Sequence, residues 1–137
     1  MQPITRAGKI MQEHGFWFNE VPQEHRNDRV CKTIMFKKKN GERIAAVVPY
    51  LSRVSYKKLK TYCGMDVSSL SADELRKEGF EPHECAPMLM QCELVIDPIC
   101  AQKHPIQTGS GTLGYGIEWH FSDLEKIRSY ILLDVAE

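Results

Sequence analysis

The sequence holds no apolar run long enough to cross a bilayer, so no membrane-spanning helix and no membrane partner are expected. Its first ten residues, MQPITRAGKI, lack the apolar centre of a secretory signal. There is no CxxC pair, and the cysteines are odd in number: Cys31, Cys63, Cys85, Cys92 and Cys100. A disulfide framework is therefore not expected, and a reduced, cytoplasmic setting is. Neither sign of charge is in excess, with 18 basic and 18 acidic side chains. That balance argues against broad binding to duplex nucleic acid, which needs a strong basic field. It leaves room for a local pocket that takes a small piece of nucleic acid. Repeats, low-complexity segments and internal linkers are also missing. A chain of 137 residues suffices for one domain with its own core.

What is present centres on residues 30–36, Val-Cys-Lys-Thr-Ile-Met-Phe. In a strand, Val30, Lys32, Ile34 and Phe36 point one way and Cys31, Thr33 and Met35 the other. Lys32 thus shares a face with apolar side chains. Its ammonium must find a partner, reach water at an edge, or line a site. Lys37-Lys38-Lys39 then leads to Asn40-Gly41, a tight-turn signal, and residues 43–50 return as a nearly continuous apolar strand. The lysine run at the tip is expected in solvent.

Upstream, residues 5–14 predict a short helix stopped at Gly15. Phe16-Trp17-Phe18 predicts an early strand or a core anchor, and residues 19–29 a polar loop. Downstream, Ser55 caps a predicted helix that ends at Gly64. Its Tyr56-Lys57-Lys58-Leu59-Lys60 stretch is either a basic face for RNA or an ordinary solvated amphipathic face. Ser71-Ala72-Asp73-Glu74 matches a capping box, with Gly79 ending that helix. Residues 80–89 read as an ordered loop, 93–97 as a buried strand, 105–108 as another, and 117–121 as a half-buried strand. Ser122-Asp123-Leu124-Glu125 matches a second capping box and predicts a final helix to about residue 133. The expectation is an α+β (mixed α/β) fold: one compact domain over residues 1–137, with a mixed, largely antiparallel central sheet flanked by short helices.

Several motifs invite chemistry. Gly109-Ser110-Gly111-Thr112-Leu113-Gly114 has the GxGxxG spacing, but a predicted strand follows where a dinucleotide fold needs a helix. The glycine pair instead admits a close backbone approach or makes a turn. His83, Cys85, Cys92, Cys100 and His104 have none of the usual zinc spacings, so no metal is expected. Cys85 is a possible nucleophile in type, with His83 or His120 as base, yet nothing in the sequence orders such a dyad. Ser110 lacks the strand-to-helix elbow of a hydrolase serine.

Taken in order, these stretches resemble the YbaK-like aminoacyl-tRNA deacylases, which also occur as editing domains of prolyl-tRNA synthetases. Val30-Cys31-Lys32-Thr33 resembles the family's lysine-bearing strand, and residues 44–49 its partner ending in proline. Gly79-Phe80 and Cys85-Ala86-Pro87 resemble the loop that ends in a proline, residues 94–97 a buried strand, and Gly109-Ser110-Gly111 with Asp123-Leu124 the closing segment. The chain departs from the family at His83-Glu84, where two glycines are common, and at Leu89.

The resemblance implies hydrolysis of the ester between a wrong amino acid and its tRNA, with alanine or cysteine on the tRNA for proline as the expected substrates. It implies no metal or cofactor. Lys32 would position the aminoacyl-adenosine end, and Thr33, His83, Ala86, Pro87, Gly109, Ser110 and Gly111 would bind it. Backbone amides at Gly109–Gly111 and around Ala86-Pro87 would hold the carbonyl. His83 and Glu84 would either select the substrate by a polar contact or lie in solvent. The implied partners are the aminoacylated 3′ end of a tRNA and a synthetase or fused synthetase domain. The alternative is a module that keeps this fold to bind tRNA or a synthetase without turnover.

Overall fold

In the computed structural model, which describes residues 2–22 and 28–137, β2 (Cys31–Lys38) and β3 (Arg43–Pro49) form the predicted antiparallel hairpin. The turn is a three-residue loop closed by the Lys38–Glu42 pair. Gly41 alone takes the left-handed conformation there, at φ 91°, while the Asn40 side chain accepts from the Glu42 N–H at 3.0 Å. The lysines beside the turn are not simply in solvent. Lys37 pairs with Glu74 at 2.8 Å and Lys38 with Glu93 at 2.9 Å.

Two sheets result. β4 (Val67–Ser69), β2, β3, β5 (Glu93–Ile96) and β8 (Ile131–Leu132) lie in that order, with β3–β5 and β5–β8 parallel and the other pairs antiparallel. A second, antiparallel sheet has the order β1 (Phe18–Pro22), β7 (Tyr115–Trp119), β6 (Ile106–Gly109). The two meet where Val30 bridges in parallel to Gln107. The expected alternation holds along β2: Cys31 and Met35 enter one apolar cluster with Trp119, Ile117 and Leu94, and Phe36 enters another with Ile44 and Leu59. β3, between two neighbours, is buried along both faces.

The helices follow their local signals where those are complete within one turn. Thr5 caps α1 (Arg6–Glu13). Ser55 and Gly64 bound α2 (Tyr56–Cys63), whose Leu59 is buried and whose Lys58 pairs with Asp134. Ser71 and Glu74 form both bonds of the capping box of α3 (Ala72–Lys77), and Asp97 caps α4 (Pro98–Ala101). Phe16-Trp17-Phe18 divides its roles. Phe18 opens β1 and Phe16 packs on the core, but Trp17 is 47% exposed and stacks on His120 at 4.7 Å. Of the predicted polar loop over 19–29, residues 19–22 instead continue β1 through its pairing with β7, and residues 23–27 lie outside the described residues. Among the described residues no helix is long and apolar enough to cross a membrane.

The second capping box does not form. Residues Phe121–Lys126 make a 3₁₀ helix with no side-chain cap, and the chain then leaves it for β8. The Leu133 N–H donates to the Ile96 carbonyl at 2.9 Å. Pairing with β5 and burial of Phe121 and Leu124 outweigh the helical preference.

The Lys37 ammonium, and then the Ser71 backbone N–H, hold the Glu74 carboxyl down at about 2. A carboxyl whose folded pKa lies below its unfolded value stabilises the fold above the unfolded value, and that contribution is lost as pH falls through the folded one. Glu74→Gln keeps a capping-box residue while removing the charge. The thermal midpoint of wild type should exceed that of Glu74→Gln near neutrality, and the gap should close as pH falls from about 4.5 toward 2.

Candidate active site

A cleft of about 530 Å³ opens where the two sheets part. Its walls are β2 from Cys31 to Met35, the glycines Gly109 and Gly116 of β6 and β7, the start of α3, and the loop around His83. Residues about 40 to 85 positions apart in sequence therefore face one another across it.

Lys32 lies on this cleft, half-buried, with its Nζ 5.6 Å from the centroid of the Tyr50 ring. Among the described residues no carboxylate lies within ion-pair distance of it. Burial, and then repulsion from Arg53, lower its pKa from the ordinary lysine value. Of the three fates open to this side chain, the structure gives it a wall of the cleft. Arg53 and Tyr50, which sequence reasoning passed over, make the neighbourhood cationic and aromatic.

The loop carrying His83-Glu84 keeps a glycine-like backbone without glycine. The Glu84 N–H donates to the Glu81 carbonyl at 3.0 Å, with Pro82 and His83 between them. His83 has φ 70°, the conformation a type II turn requires at its third position. An L side chain there costs about 1 kcal/mol or more. The pair then splits. His83 is exposed on the cleft rim, while Glu84 is buried. The Glu84 carboxylate accepts from the Gly114 N–H at 2.9 Å, and its carbonyl accepts from the Gly111 N–H at 2.6 Å. Glu84 thus ties this loop to the glycine-rich one. A Cβ at Gly109 would sit 2.7 Å from the Glu84 carbonyl carbon, so glycine is required by a close backbone approach.

The remaining expected binding residues lie as follows. Thr33 and Gly109 line the cleft. Ser110 is fully buried and its hydroxyl donates to the Tyr115 carbonyl at 2.7 Å, which makes it a turn-forming serine. Ala86 and Pro87 are buried, with Pro87 opening a short 3₁₀ helix. The Gly111 amide is already spent on Glu84. Gln107, missed in the sequence, lines the cleft although it is only 4% exposed; its signal was a long polar side chain within the short strand expected over 105–108. The Thr33 Oγ1 is buried and has no hydrogen-bond partner among the described residues.

Cys85 also lines the cleft. Burial, reinforced by the Glu84 carboxylate, pushes its thiol up to about 11. At pH 8 only about one thiol in a thousand of that kind is ionised. Cys85→Ala should therefore retain hydrolysis, with any change confined to preference among amino acids, and iodoacetamide should label Cys85 far more slowly than a free thiol at that pH. Loss of activity in Cys85→Ala with an unchanged melting curve would restore the thiol as nucleophile. His120 is held by Trp17 and is not a wall of the cleft. Among the described residues no three His, Cys, Asp or Glu side chains converge as a metal-ligand set.

A family model described as the aminoacyl-tRNA editing domain matches residues 20–127. The chain belongs to that family. The resemblance drawn from the lysine strand, the proline loop and the glycine segment is thereby shown. The editing domain's fold is also that of solved structures. One, described as a hypothetical protein, is 18% identical with a TM-score of 0.82, covering 94% of this chain and 97% of its own. Another, described as a candidate trans-editing enzyme for prolyl-tRNA synthetase, is 15% identical with a TM-score of 0.81, covering 100% of this chain and 99% of its own. At such identities the likeness is one of fold. No curated protein matches the chain in sequence.

Proposed function

We propose that residues 1–137 form one editing domain that hydrolyses the ester of a mischarged aminoacyl-tRNA, with alanyl and cysteinyl esters on the tRNA for proline as the first candidates. The observation that carries this reading is the half-buried Lys32 on the wall of the cleft, with no carboxylate to neutralise it among the described residues. A fixed cation beside a tyrosine ring suits the terminal phosphate and ribose of a tRNA. The aminoacyl ester is already labile, so orientation and electrostatic stabilisation suffice. Lys32 acts as a positioning charge, not as the base. A synthetase pocket built for proline rejects smaller side chains weakly, and a second site is the physical remedy. The near-zero net charge makes a synthetase or a fused domain the natural source of further grip on the tRNA body. The setting is the cytoplasm, where tRNA is charged.

The test is a panel of tRNA for proline charged with alanine, cysteine, serine or proline, incubated with the protein in the presence and absence of EDTA. Release of one mischarged amino acid, sparing of prolyl-tRNA and indifference to EDTA are expected. Binding of tRNA without release of any amino acid would replace the deacylase with a binding module. Loss of release in EDTA would bring in a metal.

A further inference from the structure

One stretch of backbone in the cleft lacks a partner among the described residues. Along β2 the even-numbered residues bond to β3, as the Tyr50 N–H donating to the Val30 carbonyl at 3.0 Å and the Lys38 N–H to the Glu42 carbonyl at 2.8 Å fix the phase. In an antiparallel ladder the alternate residues point their N–H and C=O groups the other way. Thr33, opposite Val47, therefore turns its main chain away from β3. On that outer side β4 reaches only as far as Met35, whose carbonyl accepts from Leu70 at 3.1 Å. From the other end β6 meets this edge at a parallel bridge between Val30 and Gln107, with the Gln107 N–H donating to the Arg29 carbonyl at 3.0 Å. Between these two contacts the edge pairs with no strand among the described residues, and it opens on the cleft. Thr33 is only 7% exposed, and its hydroxyl is likewise without a partner among the described residues. Buried polar groups are ordinarily satisfied, so an open N–H, C=O and O–H on one buried residue mark a place for a ligand.

We infer that the aminoacyl group of the substrate binds there as the missing residue of a strand. This rests on the deacylase reading above. The substrate's carbonyl oxygen accepts from the Thr33 N–H, and its α-amino group donates to the Thr33 carbonyl. An α-amino acid carries these two groups with the spacing of one antiparallel ladder pair. Its side chain then falls on the face of β2 that carries the side chain of Thr33, the face of the cluster holding Leu70 and Cys85. In the reaction, water adds to the ester carbon, the bond from that carbon to the ribose oxygen breaks, and that oxygen leaves as a hydroxyl with a proton from the water. The carbonyl oxygen is negative in between, and the Thr33 N–H is a fixed donor to it. This fills a need left by the glycine-rich loop, where the Gly111 amide is held by Glu84.

The test uses two stable probes with an amide in place of the ester, 3′-deoxy-3′-(L-alanylamino)adenosine and its propionyl counterpart, which lacks the amine. With ¹⁵N-labelled protein, saturation with the alanyl probe should move the Thr33 amide proton downfield and slow its exchange with solvent about tenfold or more. The propionyl probe should bind about tenfold more weakly, the effect of one hydrogen bond from a charged donor. Binding of the alanyl probe with the Thr33 amide unmoved, or equal binding of the two probes, would overturn the inference and leave the deacylase reading standing. If neither probe binds and the panel of charged tRNAs is left intact, both readings fall together.

Discussion

Lys32→Ala should lower kcat/KM for the mischarged tRNA that wild type cleaves by about 10²- to 10³-fold, the range for losing one preorganised stabilising group. The melting midpoint should stay within about 2 °C of wild type, because the side chain is half-buried and gives up no ion pair among the described residues. The separation of the two readouts carries the result. A positioning charge is lost without loss of fold. Lys32→Arg keeps a cation but changes its shape and reach, so it should fall between wild type and alanine. Single-turnover measurements with enzyme in excess would separate the chemical step from binding. An alanine variant as active as wild type would move the chemistry elsewhere in the cleft.

The largest stability effect is expected at Trp119. Its side chain is completely buried, at 0% exposure, and stacks on Phe121 at 6.2 Å. Its Nε1–H donates to the Thr108 hydroxyl at 3.1 Å, across the pair formed by β6 and β7. Trp119→Ala removes this packing and leaves a void that a close-packed core fills only in part. The cost is about 3–5 kcal/mol, enough to lower the melting midpoint by roughly 10 °C or more. Trp119→Phe should lose clearly less, because the ring remains and only the indole hydrogen bond and part of the volume go. Because β6 also carries Gln107 and Gly109 to the cleft, activity should fall at temperatures where Trp119→Ala begins to unfold and recover on cooling. A loss of a few tenths of a kcal/mol would mean that the smaller sheet contributes little to the folding unit.

Two capping boxes of the same type show how far local reading reaches. At Ser71–Glu74 the donors and acceptors all lie within one helical turn, and both bonds form as expected. At Ser122–Glu125 the residue types are equally suitable, yet the following segment is taken into a parallel pair with β5. His83-Glu84 shows the same boundary. The sequence marks the pair as unusual, but not that one side chain goes outward on a left-handed turn while the other turns in to hold Gly114. Ser110, between two glycines, looks available for a ligand in sequence and is committed to Tyr115 in space.

By itself the sequence determined the alternation of β2, the turn at Gly41, the presence of α1, the caps of α2 and α3, and the ordered set of stretches that places the chain among editing domains. Each of those signals is carried by residues a few positions apart, or by their order. Tertiary structure alone decided which strands meet and therefore where they fail to meet. The cleft exists because the pairing on the β4 side ends at Met35 and β6 meets the same edge only around Val30, leaving Thr33 between them. A gap in a ladder is a property of three strands distant in sequence, and its cost or use depends on burial that no single strand contains.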